Sequence, residues 1–555
     1  MACGELVPRK ESFQRKRLQV HASFLPKTGE MANDCHPERE VEGPFGRHVC
    51  RLAEAHATLL RTTTILAVAV LAATGSAKSA AASSQDAQAQ ALLAKHRAYV
   101  GWQFGDGTFK SMRIAGYVTN EQGEKTQRFV LLSRGLVYHE VYTELKLSDI
   151  TSHAGFTGNL FWRSDFNGFT TPIYGDRAKF LASFTLLQQE GTTELPASFV
   201  ENKTVDGKLV GVVRVTLKNG DAIDLAVDPQ TGAYVQATID PGGAGETTYH
   251  ILSYRDVLPG KKMMAAYRID DGESIHNYDN VEPNAAVTDA ELHPPAPTAS
   301  WTFGSQDSFP ITLTPNRILI DATVNGVKGR FILDTGATAI ALDEAFADRA
   351  KVETLAGKSE AATMRGMVPT RARRAGTIAF GGSTLHNVLV FSEDFRSHDY
   401  RGLDRQGYDG LIGYDLFAGA IVKLDVYSSK MTLLDPASDL TGTRGLPLLV
   451  DLSNGIPAIP MTLNNSIAVN AFLDTGNPGV VFYGPELVRK RHLKIFAGCG
   501  NIESLSIGPI TYAAQEACEW GFAANNMLLG YDFLKHFDYV FDYPHGVIYM
   551  APNKN

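Results

Sequence analysis

Gly329-Arg-Phe-Ile-Leu-Asp-Thr-Gly-Ala-Thr338 decides the fold of this chain, because the phrase returns as Val469-Asn-Ala-Phe-Leu-Asp-Thr-Gly-Asn-Pro478. Each copy is an apolar run of strand character that ends in an Asp-Thr-Gly turn, with Asp334 and Asp474 at the two heads. A second phrase follows each in the same order, Leu411-Ile-Gly-Tyr-Asp-Leu-Phe417 and then Leu528-Leu-Gly-Tyr-Asp-Phe-Leu534. Strand-hairpin patterns come next, at Ala420 to Leu433 and Tyr539 to Met550. A single Asp-Thr-Gly arises easily by chance; an ordered pattern met twice is an internal repeat. The repeat predicts two lobes, residues 301–438 and 441–555. The first is longer between its motifs, and its extra length, between about 350 and 410, holds Arg365, Arg371, Arg373 and Arg374 and a polar loop from Ser397 to Gln406.

Two carboxylates in one site have a specific chemical use. Held about 3 Å apart they cannot both ionise, so one serves as a base and the other, protonated, as an acid. Such a pair can deprotonate a water and protonate a departing amide nitrogen with no metal, no cofactor and no covalent intermediate. Gly336 and Gly476 beside the aspartates let the two turns approach where a Cβ would collide. Neither His-Glu-x-x-His nor Gly-x-Ser-x-Gly occurs, so zinc-dependent and serine hydrolysis lack their motifs.

These residues resemble the pepsin-like and retroviral-type aspartic peptidases: duplication in one chain is the pepsin form, and Asp-Thr-Gly-Ala at 334 to 337 the retroviral one. The resemblance covers about 300 to 555. It implies Asp334 and Asp474 as catalytic residues and hydroxyls of Thr335 and Thr475 bonding across to the opposite turn. Gly413 and Gly530 would pack behind the turns, and a hairpin flap at about Thr354 to Thr377, with Gly366 near its tip, would cover a peptide or protein substrate. Asp415 and Asp532 read as caps at helix starts, and the arginine run as a solvated face. Ala337 and Asn477 stand where pepsins carry Ser or Thr, and Pro478 follows the second turn directly. Losing a hydroxyl donor raises carboxyl pKa values, so the expected optimum is mildly acidic.

From about 92 to 290, short apolar runs alternate with Gly, Asn and Asp turns, as in Leu209 to Leu217, Asn219-Gly220-Asp221, and Ile223 to Val227. The pattern predicts one long, curved antiparallel sheet, so the chain as a whole reads as mostly β. Pro-rich residues 291–300 read as a linker. Gly158-Asn-Leu-Phe-Trp162 with Asp165, and the Val227 to Gly232 turn, resemble the LolA/LolB-type lipoprotein-carrier fold. That resemblance implies lipid or lipoprotein contact through this domain, although Trp102, Phe104, Phe109, Trp162 and Phe166 read first as core. An inactive exported protein binding lipid, lipoprotein or peptide is the alternative to an enzyme.

The 555 residues carry a net charge of −8, which gives no basic footprint for nucleic acid. The apolar run Ile65 to Ala73, preceded by Arg61 and followed by small residues, reads as the core of a signal peptide over 59–82. A membrane span needs about 20 apolar residues and this run is shorter. The expected location is periplasmic or secreted, with residues 1–58 a leader of doubtful start. Cys3, Cys35 and Cys50 precede the signal, and Cys499 and Cys518 remain as an expected disulfide, against the alternative of two buried thiols.

Overall fold

A computed structural model describes residues 75–553, apart from positions 148–149, 241–245, 270–273, 305–307, 356–358, 364–365, 396–406, 480, 492, 494–497 and 520–525. The leader, the apolar run at 65–73, the first three cysteines, Arg365 and most of the polar loop at 397–406 lie outside the described residues. Among those described, no helix is long and apolar enough to cross a membrane.

The chain is mostly β, and its N-terminal half is a 13-stranded antiparallel sheet. Six strands meander from the centre to one edge. The chain then crosses by helix Gly175–Gln188, restarts at the opposite edge and returns until Ile275–Pro283 pairs with Ser111–Thr119. In Ser111–Thr119 every second residue is buried, the period of a strand with one face on a core. Register shifts at Ala115/Gly116 and Phe199/Glu201 mark bulges that bend the strands. As the sequence predicts, Asn219 and Gly220 lie in a hairpin between Lys208–Thr216 and Ala222–Val227.

Two helices were not foreseen. Helix Gly75–Val100 runs through the Ala/Ser/Gln tract and the end of the expected signal, and its Ala89, Leu92, Leu93 and Val100 join Phe180 and Leu187 of the second helix against the sheet. Alanine favours helix strongly yet adds little to an amphipathic pattern, which hides the period. His96 anchors the first helix: buried, it pairs with Glu190 at 2.8 Å and stacks on Tyr234 at 3.4 Å. Trp102 and Trp162 are buried in the core, while Phe104 is exposed.

The C-terminal half repeats one arrangement. In the first copy Ile318–Val324 and Val327–Leu333 form a hairpin through Asn325-Gly326, both at positive φ (47° and 84°), the two-residue turn that matches strand twist. Gly410–Ile412 then pairs in parallel with the second of these strands. In the second copy Ala458–Leu463 and Ile467–Asp474 pair, Met527–Gly530 lies parallel to the latter, and six strands close a barrel. A six-stranded sheet joins the copies, with Val422 of one opposite Phe541 of the other. Cys499 and Cys518 face each other across the hairpin Cys499–Ile507/Ile510–Glu519 and form a disulfide.

The edge hairpin Phe161–Ser164/Thr170–Ile173 of the N-terminal sheet is seated on the first lobe. In its turn, the Asn167 side chain accepts from Leu389 N–H (2.7 Å) and donates to Leu389 C=O (3.1 Å) and Asp415 (2.9 Å). Thr171 bonds the Tyr414 hydroxyl at 2.7 Å and Arg163 donates to Leu452 C=O at 2.9 Å. The expected linker is held as well: Thr298 N–H donates to Asn167 C=O at 2.9 Å.

Candidate active site

Parallel pairing delivers both aspartates to one place. Leu333 is opposite Ile412 and Leu473 opposite Leu529, so each strand ends beside a crossing strand and its next residue turns outward. Asp334 N–H donates to Ile412 C=O at 3.0 Å and fixes the first turn. Gly413 and Gly530 sit behind the turns as expected, where a Cβ would lie 2.4 Å from Ala337 O and 2.3 Å from Gly479 O.

The two turns lock by a reciprocal exchange. Thr335 N–H donates to Thr475 Oγ1 and Thr475 N–H to Thr335 Oγ1, each at 3.0 Å. Each hydroxyl then donates across to the strand of the other copy, Thr335 to Leu473 C=O and Thr475 to Leu333 C=O, both at 2.7 Å. Both threonines are buried. A Cβ on Gly336 would lie 2.5 Å from Asp474 Cγ, and one on Gly476 2.2 Å from Asp334 Cγ, so only glycine fits between each turn and the opposite carboxyl.

The carboxyls of Asp334 and Asp474 come together in this gap, where each bears on the other's protonation. Gly336 N–H donates to Asp334 at 2.8 Å; Gly476 and Asn477 N–H donate to Asp474, each at 3.0 Å. Asn477 thus supplies from its backbone a donor to the carboxyl, and its side chain turns away to accept Gly479 N–H at 2.9 Å. Removal from bulk water pushes the Asp334 carboxyl above its ordinary range, opposed by the Gly336 amide, the bond with Asp474 and the charge of Arg317. Burial, then the negative charge of Asp334, pushes Asp474 well above that range. The pair therefore holds one proton at a pH where free carboxyls are ionised, and that proton belongs to the pair.

Residues 320–416 match the family described as Aspartyl protease. The match takes in the Asp334 turn and Gly413, and the Asp474 turn lies beyond it. No curated protein matches the chain. A DUF1329 family protein from Desulfovibrio piger is similar at 12% identity, over 38% of this chain and 97% of that one, with a TM-score of 0.28. A putative outer membrane lipoprotein-sorting protein domain from Vibrio parahaemolyticus is similar at 10% identity, over 37% and 97%, with a TM-score of 0.27.

Around the matching segment the structure departs from two expectations of the sequence. Asp415 and Asp532 cap neither helix: Gly413 and Gly530 stand at those caps, Asp532 pairs with Lys535, and buried Asp415 accepts Ile340 N–H at 2.6 Å. In the arginine run Arg373 departs from a solvated face, buried with Asp348 at 2.7 Å and Ser392 at 2.8 Å, whereas Arg371 stays exposed while meeting Glu344 at 2.7 Å. A carboxylate from a separate element drew Arg373 inward. Where a flap was expected the chain forms a hairpin, Ser359–Thr363 against Gly366–Phe380, with Thr363 opposite Gly366. The sequence reading missed Arg317, whose place before an apolar strand looks like an ordinary surface charge.

Proposed function

We propose that the chain is an exported aspartic endopeptidase in which Asp334 and Asp474 activate one water. One carboxyl of the pair, ionised, takes a proton from the water as the water oxygen attacks the peptide carbonyl carbon, while the other gives its proton to the carbonyl oxygen. As the tetrahedral adduct collapses, the first carboxyl passes the water's proton to the nitrogen, the C–N bond breaks, and the second recovers its proton from the adduct's hydroxyl. The observation that carries this reading is the reciprocal Thr335–Thr475 exchange, which holds two carboxyls face to face in a gap that excludes every side chain but glycine's hydrogen. The family match over the first lobe supports it. Export is supported by the apolar run at 65–73 and by the disulfide, which needs an oxidising compartment.

The raised carboxyl range sets the working pH. The acidic limb follows the first ionisation of the pair and the basic limb loss of its remaining proton, both upward of ordinary carboxyls. Incubating the protein with a peptide library from about pH 3 to 7 should give a bell with a mildly acidic maximum. A maximum near about pH 2 contradicts the assigned environment. Absence of cleavage at every pH would favour the binding protein.

A further inference from the structure

Arg317 immediately precedes strand Ile318–Val324, whose hairpin partner Val327–Leu333 runs into the first aspartate turn, and it is only 4% exposed. Its guanidinium makes no hydrogen bond or ion pair among the described residues, and Nε is shut off from solvent without a partner. Its one recorded neighbour contact is the ring of Tyr408, 5.5 Å away. Other arginines of this lobe behave differently: Arg330, Arg349, Arg371 and Arg373 all face carboxylates. A buried guanidinium nitrogen with neither water nor partner is costly, and Arg317 keeps hydrogen-bonding capacity that no group among the described residues takes up.

Its position ties that capacity to the site. Thr314 N–H closes the turn by donating to Arg317 C=O at 2.9 Å, and Thr314 C=O accepts from the hydroxyl of Tyr531, which follows Gly530 behind the second turn (3.3 Å). The turn carrying Arg317 therefore bridges the two lobes beside the dyad, and its charge is felt by Asp334. Register identifies its counterpart. Leu319 pairs with Ile332 and Ala458 with Phe472, each two residues before its aspartate, so Arg317 corresponds to the apolar Ile456. The first copy carries a cation at this place and the second an apolar side chain.

We propose that Arg317 is a specificity residue that receives a carboxylate of the substrate next to the scissile bond. The planar fork of a guanidinium matches a carboxylate in two parallel hydrogen bonds, which a lysine cannot reproduce. The carboxylate comes from an Asp or Glu side chain or from a free C-terminus. This inference rests on the peptidase reading and adds a substrate class to it.

The test uses peptide sets matched except for Glu or Gln at each position flanking the scissile bond, each made with free and with amidated C-termini. Wild type, Arg317→Met and Arg317→Lys are compared by cleavage, and Asp474→Asn with and without Arg317→Met by fluorescence anisotropy of the same labelled peptides. Thermal midpoints establish that each variant is folded, and Arg317→Lys keeps the charge if the methionine variant is not. Wild type should favour Glu at one flanking position, or the free terminus, by about 10-fold, carried in KM. That preference should vanish in Arg317→Met and be weakened in Arg317→Lys. Equal handling of acid and amide, or a preference that survives Arg317→Met, overturns the inference while cleavage itself still stands. No cleavage, with carboxylate selection by Arg317 retained in the anisotropy arm, removes the peptidase reading and keeps the carboxylate site; no cleavage and no selection removes both.

Discussion

Gly476 has less room than any other residue of the dyad, since a Cβ there would lie 2.2 Å from Asp334 Cγ. Gly476→Ala should displace that carboxyl and cut the cleavage rate by about 100-fold or more, the effect of roughly 1 Å of misplacement. Full activity in steady-state assays would show that the gap is looser than described. Thr335→Ala removes the acceptor of buried Thr475 N–H and the donor to Leu473 C=O, and should cost about 1–3 kcal/mol in urea unfolding. The dyad was legible in sequence because its chemistry demands particular residue types in a fixed order. Arg317, Asp415 and Arg373 were not, because what they do is set by groups that folding brings from elsewhere.

At the scale of elements, the sequence announces strands and the hairpins between neighbours, through alternation and through turns such as Asn325-Gly326 and Asn219-Gly220. It does not announce which hairpin meets which across the molecule. The six-stranded sheet joining the lobes depends on Val422 meeting Phe541, a pairing that apolar runs of similar composition cannot specify. The helix over Gly75–Val100 escaped for a related reason, its buried stripe being diluted by alanines. The disulfide was visible as a lone pair of cysteines, and it closes a loop of 19 residues. Cys499→Ser together with Cys518→Ser should lower stability by about 3 kcal/mol in guanidinium unfolding, a magnitude that an unchanged midpoint would exclude.

Across the whole molecule, the N-terminal sheet and the first lobe meet at two buried carboxyls, Asp165 and Asp415. Burial and the charge of Asp415 hold Asp165 well above the ordinary carboxyl range; burial also raises Asp415, against the donors Ile340 N–H and Asn167. Folded pKa values above the unfolded ones mean that the folded state binds more protons. The stabilisation is complete below the unfolded carboxyl pKa of about 4 and is lost as pH rises through the raised values. Asp165→Asn should therefore flatten the fall in unfolding free energy from about pH 5 to 8 relative to wild type, and parallel curves would contradict this. Asn167→Leu, which removes three bonds across the same contact, should cost about 3 kcal/mol.

The dyad draws one residue from each lobe, and the central claim is that the two act as a single unit. The most direct measurement compares cleavage of one peptide by wild type, Asp334→Asn, Asp474→Asn and the double variant. Each single change should reduce the rate by about 10²–10⁴-fold, and the double change should cost little more than either alone. Losses that multiply, or one single variant that keeps wild-type turnover, would show that Asp334 and Asp474 do not share one water and one proton.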